Sequence, residues 1–141
     1  MPNRYIPKAE LEKLEAAYKG YCEYCKYLQK YTSARLQNDH IIPLALKGKN
    51  EFANLAKACI SCNANKHTFT SFLDPVTNEI VPLFHPRQQD WNDHFQWSED
   101  RLLIEGKTPT GRATVILLDM NTPEIVNLRA VMPKDEHPPR R

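Results

Sequence analysis

The four cysteines of the chain fall in two pairs with the same spacing, Cys22/Cys25 and Cys59/Cys62. Each CxxC pair offers two thiolates from one tight turn, and two such pairs supply the four soft ligands of a closed, tetrahedral zinc site. The alternatives are two disulfides or a redox-active pair, but a redox pair needs a strand–helix–strand context that the sequence does not show. We therefore predict a structural zinc ion that clamps residue 22 to residue 62 and fixes the loop between them.

Inside that loop, the segment LQNDHIIPL places Asp39 and His40 side by side in an apolar setting. A histidine alone is more often structural than catalytic, but the zinc ion would fold this pair against a segment that carries Asn63 and Lys66. Oxygen ligands from Asp39 and Asn63 suit Mg²⁺ or Mn²⁺. A neutral His40 beside such an ion could take a proton from water. Together with a cationic Lys66 near phosphate, these groups meet the needs of phosphodiester hydrolysis.

Short, mixed elements must position these groups. The segment PKAELEKLEAAYKG predicts a helix, and SARLQNDHIIPL predicts a strand or hairpin arm. A loop at residues 47–50 precedes a short helical turn, the second cysteine pair and a helix that runs through Lys66. The catalytic candidates would therefore be held between a strand and a helix.

The downstream half of the chain predicts a hairpin in FLDPVTNEIVPLFHP and two short strands in DHFQWSEDRLLIEGKTPTG. Two helices follow, and Thr122 is the predicted N-cap of the second. Trp91, Phe95 and Trp97 have spacings that fit one strand face and are predicted to lie in the core. The last residues, 133–141, are predicted to form a disordered tail.

Composition limits the function classes. The 141 residues suffice for one domain with a modest core, and the net charge of +2 is a weak argument for a nucleic-acid partner. No segment approaches the ~18 continuous apolar residues of a membrane span. The segment MPNRYIPKAELEKLE has no apolar signal-peptide core, so we expect a cytoplasmic protein in a reducing compartment.

The motifs CEYC, DHIIP, KGKN, ANLAKAC, CISCN and NANK occur in this order. In order and spacing they resemble the HNH endonuclease family over about residues 20–67, and the downstream half resembles the C-terminal extension of bacterial stand-alone members. The resemblance implies an α+β fold: a ββα-metal core braced by a four-cysteine zinc site, with a strand and helix extension. It implies a single domain over residues 1–132, with the core at about 20–67 and the extension at about 68–132.

The resemblance also assigns roles. Asp39 is similar to the family's metal ligand, His40 to its general base, and Asn54 to the central asparagine that orients the loop and the imidazole. Asn63 is similar to the second metal ligand, a position that is more often histidine, so the chain resembles an H-N-N variant that uses Mg²⁺ or Mn²⁺. His67 is a further candidate for contact with metal or phosphate, and Lys66 for contact with phosphate.

The implied function is hydrolysis of phosphodiester bonds in DNA, most of all double-stranded DNA. Five further cations are candidate phosphate contacts, although each could be an ordinary solvated residue: Lys47, Lys49, Lys57, Arg87 and Arg112. The alternative is a non-catalytic zinc module that binds nucleic acid or protein through the same four cysteines. Such a module has no need of Asp39 and His40 together with Asn63, so this set favours the enzyme. No protein partner is indicated.

Overall fold

Short helices and strands alternate along the computed structural model, which describes residues 5–138. The helices are α1 (Lys8–Ala17), α2 (Ile60–Lys66), α3 (Trp91–His94), α4 (Pro109–Leu118) and α5 (Pro123–Val131). The strands are β1 (Gln37–His40), β2 (Leu55–Ala58), β3 (Ser71–Leu73), β4 (Ile80–Pro82), β5 (Phe95–Trp97) and β6 (Ile104–Gly106). They form three antiparallel pairs, β1–β2, β3–β4 and β5–β6, so the fold is α+β as predicted.

The hairpin β1–β2 and helix α2 form the centre of the molecule. Gln37 pairs with Ala58 and His40 with Leu55, and every residue of β2 is buried. Helix α2 begins directly after β2, where the sulfur of Cys59 accepts a hydrogen bond from the Cys62 amide and caps the helix. This strand–strand–helix order is the ββα arrangement that the sequence resemblance implies.

Helix α1 contacts the segment that leads into β2. The helix begins after Pro7, a residue whose fixed φ suits a helix start, and it buries Leu14. The carboxylate of Glu10 accepts a hydrogen bond of 2.9 Å from the Phe52 amide, three residues before β2. The first helix is thus tied to the loop that returns the chain to the central hairpin.

The segment after α2 packs on the central unit mainly through α4. Thr108 caps this helix by accepting a hydrogen bond of 3.0 Å from the Gly111 amide, and Pro109 occupies its first turn. The side chain of Asn65 on α2 donates a hydrogen bond of 2.9 Å to the Leu118 carbonyl at the end of α4. Helix α2 of the central unit and helix α4 are therefore joined directly.

One hydrophobic core runs through both halves of the chain, with buried residues from the cysteine turns, β2, α3, β5 and α4. The ring centroid of Trp91 lies 5.1 Å from that of Phe95 and 5.9 Å from that of Trp97. The aromatic cluster forms as expected, but Trp91 belongs to α3 and not to a strand face. This core joins the cysteine turns to the helices and strands that follow α2, and the single domain over residues 1–132 stays a prediction.

The described part of the predicted tail does not fit the expectation of disorder. Glu136 accepts hydrogen bonds from Lys30 and from the Tyr31 hydroxyl. The ring of His137 is buried, lies edge-on to Trp97 and bonds the Arg101 carbonyl at 2.6 Å. These contacts anchor residues 133–138, whereas residues 139–141 lie outside the described part of the chain.

No helix within residues 5–138 combines the length and the apolar character that crossing a membrane requires.

Candidate functional site

The four cysteine sulfurs converge on one point. All four lie within 4.8 Å of one another, and Sγ of Cys25 is 3.7 Å from Sγ of Cys59. A tetrahedral zinc ion with bonds of about 2.3 Å places its sulfur ligands about 3.8 Å apart, so the donor set fits zinc. A disulfide would require about 2.05 Å between sulfurs, and all four cysteines are free and buried. The geometry therefore favours the metal site over the disulfide alternative.

Two tight turns aim the sulfurs inward. The Cys25 amide donates to the Cys22 sulfur at 3.5 Å, and the Cys62 amide donates to the Cys59 sulfur at 3.4 Å. Hydrogen bonding with the Cys22 thiol lowers the pKa of Cys59 and raises the pKa of Cys25 and Cys62. A dication would stabilise the thiolate form of all four.

Asp39 lies on β1 with its carboxylate turned toward the interior, where only 4% of the residue is exposed. The Tyr24 hydroxyl donates to Oδ2 at 2.7 Å, and Nζ of Lys66 lies 3.4 Å from Oδ1. Burial raises the pKa of Asp39, while the Lys66 charge and the Tyr24 hydrogen bond lower it in part. A carboxylate has about four lone-pair positions, so these partners leave room for a cation on the side that faces the cleft described below.

Lys66 is buried to 1% exposure, which corrects the predicted phosphate contact. Its Nζ donates to the Ile41 carbonyl at 2.9 Å and to the His40 carbonyl at 3.2 Å, in addition to the ion pair with Asp39. The ammonium group is therefore bound by oxygen atoms at the end of β1 and in the turn that follows. In this structure Lys66 supports β1 from inside and does not reach the molecular surface.

His40 follows Asp39 on β1, where it pairs with Leu55, and it is partly buried. Its Nε2 lies 2.7 Å from the side-chain oxygen Oδ1 of Asn50. An amide oxygen accepts and does not donate, so this contact requires a proton on Nε2. In the neutral ring, Nδ1 is then the nitrogen left to act as a base.

Asn54 fixes the loop between β1 and β2. Its Oδ1 accepts from the Ile42 amide at 2.8 Å, and its Nδ2 donates to the carbonyls of Ile42 and Lys49 at 3.0 Å each. The loop is so tight here that a Cβ atom on Gly48 would lie 1.7 Å from the Ile42 oxygen. Asn54 thus orients the loop, as its predicted role requires, whereas the side-chain contact to the imidazole comes from Asn50.

Asn63 and His67 lie at the C-terminal half of α2. The Asn63 amide nitrogen donates to Oε1 of Gln37 at 2.6 Å, which leaves its own oxygen for another partner. His67 is exposed and ends the helix with a positive φ of 47°. An open cleft of about 420 Å³ brings the predicted site residues together; its lining includes Asp39, His40, Asn63 and His67.

The cleft fits a hard cation. One carboxylate and one amide oxygen are the donors that Mg²⁺ and Mn²⁺ accept, with water and phosphate in the remaining positions. Within residues 5–138, the four cysteines are the only group of three or more His, Cys, Asp or Glu side chains close enough to share a metal ion. A soft transition metal would therefore find its ligands at the cysteines and not in the cleft.

The candidate phosphate contacts divide into two groups. Three of the five cations are paired with acids inside the fold: Lys57 with Glu15, Arg87 with Glu23, and Arg112 with Asp74. Lys47 and Lys49 are exposed on the loop that follows His40, and neither has an ion-pair partner among the described residues. Of the five candidates, these two lysines remain available to phosphate.

Three residues that contact the site were missed from the sequence: Tyr24, Gln37 and Asn50. Gln37 lies two residues before Asp39 and so shares its strand face, which alternation predicts once the strand is known. Tyr24 and Asn50 stand within the motifs CEYC and KGKN, whose other residues explain the motifs without them. Their roles depend on tertiary contacts that no local pattern encodes.

The hairpin and the helix together define a ββα unit, and the four cysteines beside it form a cluster that could hold a zinc ion. Residues 22–69 match the family model described as HNH endonuclease, so this segment of the chain is an HNH endonuclease domain. The match agrees closely with the core predicted at about 20–67 and contains every predicted site residue. An HNH domain implies nucleic-acid binding and suggests nuclease activity, and the family generally uses a divalent metal ion. No curated protein and no solved structure matches the chain.

Proposed function

We propose that the chain is a metal-dependent endonuclease that hydrolyses phosphodiester bonds of DNA. The observation that carries this proposal is the shared cleft: Asp39 and His40 from β1 and Asn63 from α2 line one open surface. A zinc module that only binds a partner has no need of a carboxylate, an imidazole and an amide at one such surface. The chemistry below follows from these three groups.

His40 acts as the general base. Its ring is held through Nε2 by Asn50, so Nδ1 receives the proton of a water molecule that attacks the phosphorus. The bond from phosphorus to the 3′ oxygen breaks, and that oxygen takes a proton from solvent to leave a 3′-hydroxyl and a 5′-phosphate. The base must be neutral to accept this proton, which requires a pH at which the imidazole is not protonated. The side chain of Asn54 keeps the loop carrying Asn50 close to the end of β1, so the base is positioned before substrate arrives.

Asp39 and Asn63 would hold one Mg²⁺ or Mn²⁺ ion. Bound there, the ion supplies positive charge for the phosphate oxygens, whose negative charge grows in the transition state. Asp39 contributes one negative charge and Asn63 a neutral amide oxygen. Lys47 and Lys49 add two exposed positive charges on the loop beside the cleft, and we assign them to backbone phosphates.

The proposed substrate is double-stranded DNA, bound mainly through its backbone. Because the net charge of the whole chain is only +2, affinity must come from local cations and should fall steeply with salt. The free thiols of the zinc site suit a reducing compartment, so we place the protein in the cytoplasm.

Nicking of supercoiled plasmid in Mg²⁺ tests the proposal. Zinc-loaded wild type should convert supercoiled to open-circular DNA, and His40→Ala should be about 10²- to 10⁴-fold slower, the usual effect of losing a general base. Both proteins should bind DNA with similar affinity. Purifying the variant in the same way controls for contaminating nuclease. Wild type that binds DNA but does not nick it under any divalent metal would instead support a non-catalytic zinc module.

A further inference from the structure

We propose that Tyr24 is a positioning residue for the catalytic cation, and that through it the zinc turn sets the orientation of Asp39. Tyr24 lies between Cys22 and Cys25, and its hydroxyl donates to Oδ2 of Asp39 at 2.7 Å. One side chain thus joins the structural metal site to the carboxylate proposed to hold Mg²⁺. The inference rests on the proposed function, since it concerns the same cation site.

The position of the Tyr24 hydroxyl is fixed from three sides. The backbone around it is bent by the cysteine turn, and its carbonyl accepts a hydrogen bond of 2.9 Å from the indole nitrogen of Trp91. Its ring meets Phe84 edge-on with centroids 6.5 Å apart, and only 1% of the residue is exposed. A side chain packed in this way cannot move its hydroxyl without moving the cysteine turn or the core.

The fixed Tyr24 hydroxyl determines the orientation of the Asp39 carboxylate. The bond to Oδ2 is short, whereas Nζ of Lys66 lies 3.4 Å from both carboxylate oxygens and does not favour either. The tyrosine is therefore the partner that distinguishes Oδ2 from Oδ1 and fixes the rotation of the group. Oδ1 retains the lone pairs that a cation in the cleft would use.

Hydrogen-bonding partners of metal ligands have a measurable effect on metal affinity. Removing such a partner typically weakens binding by about 10- to 100-fold, because the ligand must then be oriented when the ion binds. The competing explanation is that Tyr24 only satisfies a buried carboxylate. In that case, loss of its hydroxyl would lower the stability of the fold and leave the affinity of the folded protein for the ion unchanged.

Tyr24→Phe in the full zinc-loaded chain separates these explanations. Tyr18→Phe is a matched control, because the Tyr18 hydroxyl is buried and has no hydrogen-bond partner within residues 5–138. Titration calorimetry with Mn²⁺ should give a Kd about 10- to 100-fold weaker for Tyr24→Phe and unchanged for Tyr18→Phe. Both variants should retain one zinc ion per chain. A wild-type Mn²⁺ Kd in folded Tyr24→Phe would overturn the inference.

Asp39→Asn distinguishes failure of the inference from failure of the proposed function. Wild type should bind Mn²⁺ and Asp39→Asn should lose that binding; if it does not, the cation site itself is wrong and the inference falls with it. If Tyr24→Phe does not fold, 3-fluorotyrosine placed at position 24 replaces it. Its ¹⁹F resonance should shift as Mg²⁺ saturates the protein, whereas the same label at position 18 should not. An unresponsive label at position 24 would overturn the inference.

Discussion

Nε2 of His40 and Oδ1 of Asn50 lie 2.7 Å apart, so the proposed base is held by a side chain from the far end of its own loop. The Asn50 oxygen is a neutral acceptor, so it favours the imidazole tautomer that carries its proton on Nε2 and none on Nδ1. The loop between the two residues is held closed by Asn54, which bonds the backbone of both Ile42 and Lys49. Asn54 therefore holds the loop in place, and Asn50, which lies on that loop, holds the imidazole of His40.

Replacing Asn50 with alanine should slow DNA cleavage by about 10- to 100-fold, with little change in DNA affinity, because the imidazole loses the contact that orients it. Asn50→Asp keeps an acceptor for Nε2–H and should preserve the ring form. ¹⁵N NMR of the His40 side chain measures that form directly. Asn127→Ala, an exposed change on α5, is the control and should cleave like wild type. Unchanged cleavage and an unchanged spectrum in Asn50→Ala would remove Asn50 from the site.

Elemental analysis of protein purified without added metal should find one zinc ion per chain. Cys59→Ser should then unfold or strongly destabilise the protein, since zinc binding supplies folding free energy in such sites. Ser61→Ala changes an exposed residue within the same cysteine pair and should leave zinc content and thermal stability unchanged. A well-folded wild type that contains no zinc would refute the structural role of the four cysteines.

Asn63 should control which catalytic ion the cleft accepts. Asn63→Ala should weaken Mg²⁺ binding and slow nicking while leaving zinc content intact. Asn63→His introduces a softer nitrogen ligand and should shift activity toward Ni²⁺, Co²⁺ or Zn²⁺. The measurement is plasmid nicking across these metals at fixed ionic strength. Equal rates and equal metal preference in wild type, Asn63→Ala and Asn63→His would show that Asn63 is not a ligand. His67 would then be the candidate for the second ligand.

Lys66 should matter for stability and not for phosphate binding. Lys66→Met leaves the Asp39 carboxylate buried without its ionic partner, which costs about 3–5 kcal/mol in typical buried pairs. Chemical denaturation of zinc-loaded protein measures this change in the free energy of unfolding. Lys47→Met, at an exposed loop position, should instead retain stability and weaken DNA binding, with a smaller dependence of affinity on salt. The opposite pattern would restore Lys66 as a phosphate contact.

Local sequence signals were sufficient where the determinant is local. The cysteine spacing predicted the zinc turns, Asp74–Pro75 and Thr77–Asn78 marked the turn between β3 and β4, and Thr122 caps α5 as expected. Strand β2 carried no such signal, because Leu55–Ala58 reads LAKA and lacks the β-branched residues typical of strands. Its conformation comes from pairing with β1, which is a tertiary effect.

The burial of Lys66 was missed for a related reason. Lysine is rarely buried, and its neighbours in sequence are polar or small, so the local pattern predicts a solvated side chain. Lys66 is nevertheless buried, because its ammonium group contacts three oxygen groups from β1 and the residue after it: the carboxylate of Asp39 and the carbonyls of His40 and Ile41. Only the folded hairpin brings them to one point.

The hydrogen bond from the Trp91 indole to the Tyr24 carbonyl ties the segment matched by the family model to the part of the chain that follows it. Trp91 lies more than twenty positions beyond the end of the family match at residue 69, yet it secures the turn that carries two zinc ligands. Asn65 is likewise tied to α4. A cassette cut at the family boundary would therefore leave exposed the surfaces that these residues cover. For fusion to a DNA-targeting partner, the transferable unit is the ββα core together with its C-terminal extension.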